Sequence, residues 1–503
     1  MQITVAKRPG TVGLALSLFL NEKPATHPLW KNLSPAARKC IADVIKKKGF
    51  SGAFGEIKIV EAGSGKIQQV LLLGLGKKSA YHHRRMARGM QLLIKTARDQ
   101  KIHELSFAPT PMQIGDWEVE RNTEALGVAV YMANYAFDLH KKAPAGGHHR
   151  VKKVEFVVEA EQSAEVRRGL ASAKVIGEAM NEERDLANTP GGTMTPKLLV
   201  AAAKNMLAGL PVKMTVLGEK DMEKKGMGAV LSVGKGSREE SQFLIMEYLP
   251  LKNERPLVFA GKGVTFDSGG LNLKPEQGIT DMHHDMAGAG AVIAAIKSIA
   301  ALKVQRNVVG LCPMVENMPG GSGYRPGDII TSLSGKTIEI ANTDAEGRVI
   351  LADALTFAKE YNPLFVVDVA TLTGAVIVAL GKRLIAGLSP NEGLALNIRT
   401  FSEPSGDYVW PLPLWEEFED DIKGTFADVS NMGKVRGAGG VITAAMFLKQ
   451  FAEGYEWLHL DIASTMVATE GQHLSPGATG TGVRFLVDIA RRFEELAPYL
   501  KKA

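Results

Sequence analysis

The spacing of apolar and polar positions predicts two α/β units. Near the N-terminus, apolar runs at 14–20, 56–60 and 69–75 read as strands, and 34–48 has helical spacing. A polar stretch at 144–153 precedes a further strand at 154–158. Residues 161–187 then continue without proline in helical composition. At ~1.5 Å per residue that helix would span roughly 40 Å, enough to bridge two domains. Asn188-Thr-Pro-Gly-Gly192 stops it, because proline and glycine end helices. The chain is therefore expected to hold an N-terminal α/β domain (1–160), an interdomain helix (161–187) and a larger C-terminal domain (188–503).

In the C-terminal part strand and helix signals alternate. Strands are expected at 256–261, 307–312, 337–341 and 364–370, with an alanine-rich helix at 285–301 and another at 349–361. Such alternation argues for a central, mostly parallel or mixed sheet covered by helices. Ligands of these sheets sit beyond the carboxyl ends of the strands.

Composition narrows this further. With 503 residues the chain is too long for one ordinary core, and its 45% hydrophobic content is that of a globular protein. Its 53 glycines exceed the ~7% average and fit many tight loops. The apolar run 12–20 follows Lys7 and Arg8 as in a short signal peptide, but no small-x-small cleavage pattern follows, so it reads as a buried strand. Two cysteines, Cys40 and Cys312, imply no disulfide framework and fit a reducing cytoplasm. Sixty basic against 54 acidic residues leave a net charge of +6, a small surplus for this length that reads as solvated surface.

Candidate chemistry gathers after the predicted strands. Lys262 follows the 256–261 strand, and Asp267 lies in a glycine-rich loop at 263–270. Asp285 opens the alanine-rich helix, and Asp344 and Glu346 follow the 337–341 strand. Alternate residues of an extended segment share a face, which would point Asp344, Glu346 and Arg348 together, with Gly347 allowing a sharp turn into the next helix. Three aspartates and a glutamate are hard oxygen ligands whose roughly −4 charge two divalent ions would balance. Each carboxylate taken singly is better explained as a helix cap or a surface charge.

The segment Asn342-Thr-Asp-Ala-Glu-Gly-Arg348 resembles the signature of the leucyl (cytosol) aminopeptidases. So do Gly261-Lys-Gly-Val-Thr-Phe-Asp-Ser-Gly-Gly270, Asp285-Met286, Asp368-Val-Ala-Thr-Leu-Thr-Gly374, Asn188-Thr-Pro190 and Gly439-Gly-Val-Ile-Thr-Ala-Ala445. The resemblance implies a catalytic C-terminal domain with Lys262, Asp267, Asp285, Asp344 and Glu346 as ligands of two divalent ions, Mn2+ or Zn2+. It implies Lys274 and Arg348 as catalytic cations, Arg348 holding a bicarbonate that serves as general base. Met282, Thr371, Gly374, Ala463 and Met466 would line a pocket for Leu- or Met-like side chains of peptides with a free N-terminus. Adaptable methionine favours broad specificity there. A homohexamer, a dimer of trimers, is the expected assembly.

Other readings are open to the same residues. Some bacterial members of the family also bind DNA, which the net charge permits, although no helix-turn-helix or dense basic stripe is evident. A two-metal phosphoryl-transfer enzyme would use the same carboxylates, but Gly74-Leu-Gly-Lys77 lacks the features of a phosphate loop. His283-His284 stands before Asp285 where many relatives have a basic residue and then an aromatic or apolar one. It reads as a loop variant, or alternatively as an imidazole touching the metal site. His148 and His149 read as exposed loop residues rather than a metal site.

Overall fold

The computed structural model describes residues 1–62, 66–142, 149–435 and 437–500. His148 lies outside them. The chain divides into two compact units, 1–181 with 468–476 and 182–467 with 477–503. The helix expected at 161–187 runs Ser163–Asn188, so the division falls within it. No helix among the described residues is long and apolar enough to cross a membrane.

The first unit is built on a six-stranded sheet ordered Gln2–Ala6, Lys153–Val157, Glu104–Phe107, Gly13–Phe19, Gln69–Gly76, Ile57–Glu61. All neighbours are parallel except the last pair. Its central strands are apolar throughout because both faces are covered. Leu71, Leu73 and Leu75 join one core, whereas Leu14, Leu16, Leu18 and Leu72 join the other. The apolar run that resembled a signal peptide is thus a central strand. The Pro35–Lys46 helix beside it starts where Ser34 accepts a hydrogen bond from the Ala37 N–H and proline occupies the first turn.

The second unit contains a nine-stranded mixed sheet. Its centre is parallel: Trp457–Asp461, Phe365–Ala370, Leu257–Gly261 and Val308–Asn317 lie side by side. Antiparallel pairings appear further out, as at Gln242–Tyr248 and Ile385–Leu388. The Ala287–Ala301 helix packs closely on this sheet because it presents so little side chain; a Cβ at Gly288 would lie 2.2 Å from the Val369 carbonyl oxygen.

Two expectations about this unit need correction. The segment 263–270 is not all loop: Gly263–Asp267 is a strand paired in parallel with Val308–Asn317, carrying Asp267 at its end. The strand before the signature, Thr337–Glu339, lies outside the central sheet. It belongs to a separate three-stranded sheet with Ile329–Thr331 and Val429–Ser430.

Candidate metal centre and active site

Two amines, one buried and one half-buried, organise the carboxylates. Lys262, directly after the Leu257–Gly261 strand, places Nζ 2.8 Å from Asp285 Oδ2 and 2.7 Å from Glu346 Oε1, and donates to the Thr371 carbonyl at 2.9 Å. Lys274 places Nζ 2.8 Å from Asp267 Oδ2 and 2.5 Å from Asp344 Oδ1. Asp267, Asp344 and Glu346 offer oxygens that all lie within 4.8 Å of one another, the spacing of ligands around a common cation. The structure therefore brings together all five residues expected to bind metal, with Lys274 among them.

The route to this arrangement differs from the one expected. Asp344, Glu346 and Arg348 do not share a face of an extended segment. Asn342 folds the chain instead, its Oδ1 accepting the Asp344 N–H at 2.8 Å, and the helix begins at Glu346, three residues earlier than the apolar spacing suggested. That helix is buried all round in its first three turns, so Glu346 and Arg348 are both interior despite pointing in different directions. Gly347 makes no turn; it is a helical residue against which Lys262 lies. Asp285 likewise precedes its helix, at the end of the short turn Met282–His284, and the helix starts at Ala287.

The electrostatics follow from burial. Asp267 is pushed up to about 6 by burial and by the neighbouring Glu346, with Lys274 and Lys262 opposing. Burial alone would lower the Lys262 amine, but Asp285, Glu346 and Asp267 outweigh it and hold the proton more tightly. Burial also raises Asp285 and Asp344, so four carboxylates facing two ammonium groups would carry two excess negative charges only when fully ionised. Asp285 Oδ2 and Asp344 Oδ1 are at ion-pair distance from the amines yet accept no well-directed hydrogen bond. Hard oxygen donors, excess negative charge and unused lone pairs suit divalent cations.

Arg348 is buried and donates from Nη1 to the Asn431 carbonyl at 2.9 Å, while its Nε–H has no partner among the described residues. Burial lowers it to about 10, which leaves it charged at neutral pH. Neither histidine of the 283–284 pair bonds to a carboxylate of the cluster among the described contacts. His284 is buried with Nδ1 3.1 Å from the Asp281 carbonyl oxygen and Nε2 3.2 Å from Asn188 Oδ1, and its ring packs 4.0 Å from that of His283.

The residues expected to form the substrate pocket approach one end of the sheet. Thr371 and Gly374 follow the Phe365–Ala370 strand, and Ala463 and Met466 follow its parallel neighbour Trp457–Asp461. Met282 opens the turn that carries Asp285. Thr371 is also tied to the metal centre, its hydroxyl donating to Asp285 Oδ1 at 2.7 Å. Residues that motif reading missed hold the ligands in place. Asn317 Nδ2 donates to Asp267 Oδ1 at 2.8 Å and to the Thr343 carbonyl at 2.9 Å. Asn431 Nδ2 donates to the Asn342 carbonyl at 2.7 Å. Both are single polar residues ending apolar strands or loops, with no spacing signal linking them to the site.

Known proteins show the same organisation. The model of the cytosol aminopeptidase family's catalytic domain matches residues 181–487, and that of its N-terminal domain matches 16–144. A probable cytosol aminopeptidase of Burkholderia mallei strain SAVP1 is 38% identical over 469 residues, 91% of this chain and 92% of that protein. A counterpart from Burkholderia pseudomallei strain 668 has the same identity and coverage. The solved bottromycin maturation enzyme BotP superposes with a TM-score of 0.83 at 29% identity, covering 97% of this chain and all of the other. Its complex with Mn gives the same TM-score at 28% identity. With both domains matched and the carboxylate–lysine cluster in place, this chain belongs to the cytosol aminopeptidase family, and it is a metal-dependent peptidase.

Proposed function

We propose that the protein removes single N-terminal residues, with Leu- and Met-like side chains preferred, using two divalent ions held by Lys262, Asp267, Asp285, Asp344 and Glu346. The observation that carries this is the cluster itself: three carboxylates within 4.8 Å, flanked by buried Lys262 and half-buried Lys274. Manganese is supported by the Mn complex of BotP, and zinc is the alternative. When bound, the ions would supply Lewis acidity for the carbonyl and for water. Lys262 donates a lone pair only as the free amine, a form favoured by added positive charge beside it.

The chain's own groups have distinct tasks in this reading. Lys274, held by Asp267 and Asp344, keeps its ammonium beside the cluster and stabilises negative charge developing on the scissile carbonyl oxygen. Arg348 has an unused Nε–H and would hold a bicarbonate ion, which supplies the base that a permanently protonated guanidinium cannot be. Met282, Thr371, Gly374, Ala463 and Met466 would receive the N-terminal side chain. A catalytic domain over 188–503, homohexameric assembly and a cytoplasmic location complete the proposal on family likeness.

Leu-p-nitroanilide hydrolysis tests it. Chelation should abolish activity, Mn or Zn should restore it, and Asp344→Ala should be inactive with reduced metal content. Full activity in Asp344→Ala would end the proposal.

A further inference from the structure

Asp461 ends the Trp457–Asp461 strand and is fully buried, yet it stands apart from the carboxylate cluster. Its oxygens collect donors from two loops. Oδ1 accepts the Leu372 N–H and the Ala463 N–H, each at 3.2 Å, and Oδ2 accepts the Thr373 hydroxyl at 2.7 Å. The first loop begins with Thr371, which bonds both Asp285 and Lys262. The second contains Ala463. One carboxylate thus ties together the two loops that follow the adjacent parallel strands.

Burying a carboxylate is costly unless charge and hydrogen bonds compensate. A second buried polar group lies on the same face of the sheet. His459 precedes Asp461 by two residues, so both side chains share a face roughly 7 Å apart along the strand. Across the register from His459, Asp368 bonds its Nδ1 at 2.6 Å and accepts the Trp457 Nε1–H at 2.7 Å. Asp368, His459 and Asp461 are all 0% exposed. Asp461 itself is compensated by its three hydrogen bonds from the two loops.

We infer that Asp461 is a positioning residue that clasps the 371–373 and 461–463 loops and thereby sets the dimensions of the side-chain pocket. The inference rests on the pocket proposed at Thr371, Gly374 and Ala463. A clasp of this kind acts on where the pocket walls stand and not on the reacting atoms. Its loss therefore changes discrimination between large and small side chains more than it changes turnover.

The test compares wild type, Asp461→Ala, Asp461→Asn and Thr373→Val on Leu-, Met- and Ala-p-nitroanilide, alongside amide hydrogen exchange and metal analysis. In Asp461→Ala, exchange should accelerate at 371–374 and 461–464. The Leu/Ala ratio of kcat/KM should change about tenfold, mainly through KM, with metal content unchanged. Thr373→Val removes one of the three bonds and should shift the ratio in the same direction by less. Asp461→Asn keeps a carbonyl oxygen for both backbone N–H groups and should recover most of the wild-type ratio. An unchanged ratio in Asp461→Ala overturns the inference, and Thr373→Val decides the matter if the alanine variant does not fold. An equal loss of kcat on every substrate with unperturbed loop exchange also overturns it. Wild-type protein inactive on the whole panel would instead defeat the aminopeptidase reading, and the exchange data would still report on the clasp.

Discussion

Gly347 and Lys262 are in contact that no side chain at 347 could tolerate: a Cβ there would lie 2.6 Å from Lys262 Cε and 2.7 Å from Nζ. The lysine cannot swing aside freely, because Asp285, Glu346 and the Thr371 carbonyl pin its amine. Gly347→Ala is therefore expected to displace Nζ from the carboxylates while leaving the helix intact. A displacement of ~1 Å in such a site costs on the order of 100-fold in rate. Activity, metal content and circular dichroism together check this; wild-type activity and metal content would refute it.

Thr371 orients Asp285, a proposed metal ligand, its hydroxyl holding Oδ1 at 2.7 Å. Losing such an outer partner typically weakens metal binding by roughly 10–100-fold. Thr371→Val should show that loss in competition with a chelator, and Thr371→Ser should not. Equal affinities for the two variants would remove Thr371 from this role.

Asn317 joins the end of one strand to the signature segment through Asp267 and the Thr343 carbonyl. Its replacement by alanine removes one donor from each acceptor, while the Gly269 N–H and the Tyr324 hydroxyl remain, so the loss is about 0.5–1.5 kcal/mol per bond. Asn317→Ala should therefore lower the urea midpoint and the activity together. Unchanged stability would show that the neighbouring groups find other partners.

His27 supplies a pH dependence in the first unit. Burial lowers it from 6.5 to about 4, and the Leu29 N–H, 3.1 Å from Nδ1, finds an acceptor there only while the ring is neutral. The folded state resists the proton that the unfolded state takes up below pH 6.5. Stability is accordingly lost as pH falls from about 6.5 to 4, by about 3 kcal/mol in total. Thermal melts across that window should fall less steeply for His27→Gln. Parallel curves for the two proteins would contradict the assignment.

His284 faces Asn188 and the Asp281 carbonyl. His284→Phe should therefore leave the shape of the pH–rate profile unchanged. A displaced limb would place the imidazole in the reaction after all.

The strands around 14–20, 69–75 and 364–370 were legible because continuous apolar runs have few other uses in a globular chain. The ligand residues were legible because the motifs that hold them are short and local: Asn342 to Arg348, Gly261 to Gly270. Local pattern misjudged the stretch between Asp344 and Arg348. There an asparagine side chain turns the backbone, and the helix starts on a glutamate whose burial depends on Lys262, 84 positions earlier in the chain.

By itself the sequence determined the two-unit α/β organisation, the family and which residues are candidate ligands, since each rests on apolar period or on contiguous motif. Tertiary structure alone decided how the ligands meet. Lys262 pairs with Asp285 and Glu346, and Lys274 with Asp267 and Asp344, because strand ends distant in sequence are adjacent in the sheet. The supporting residues Asn317, Asn431, His459 and Asp461 were likewise visible only there. A lone polar side chain has no period and no motif, and its role is set by whichever groups the fold brings within hydrogen-bonding distance.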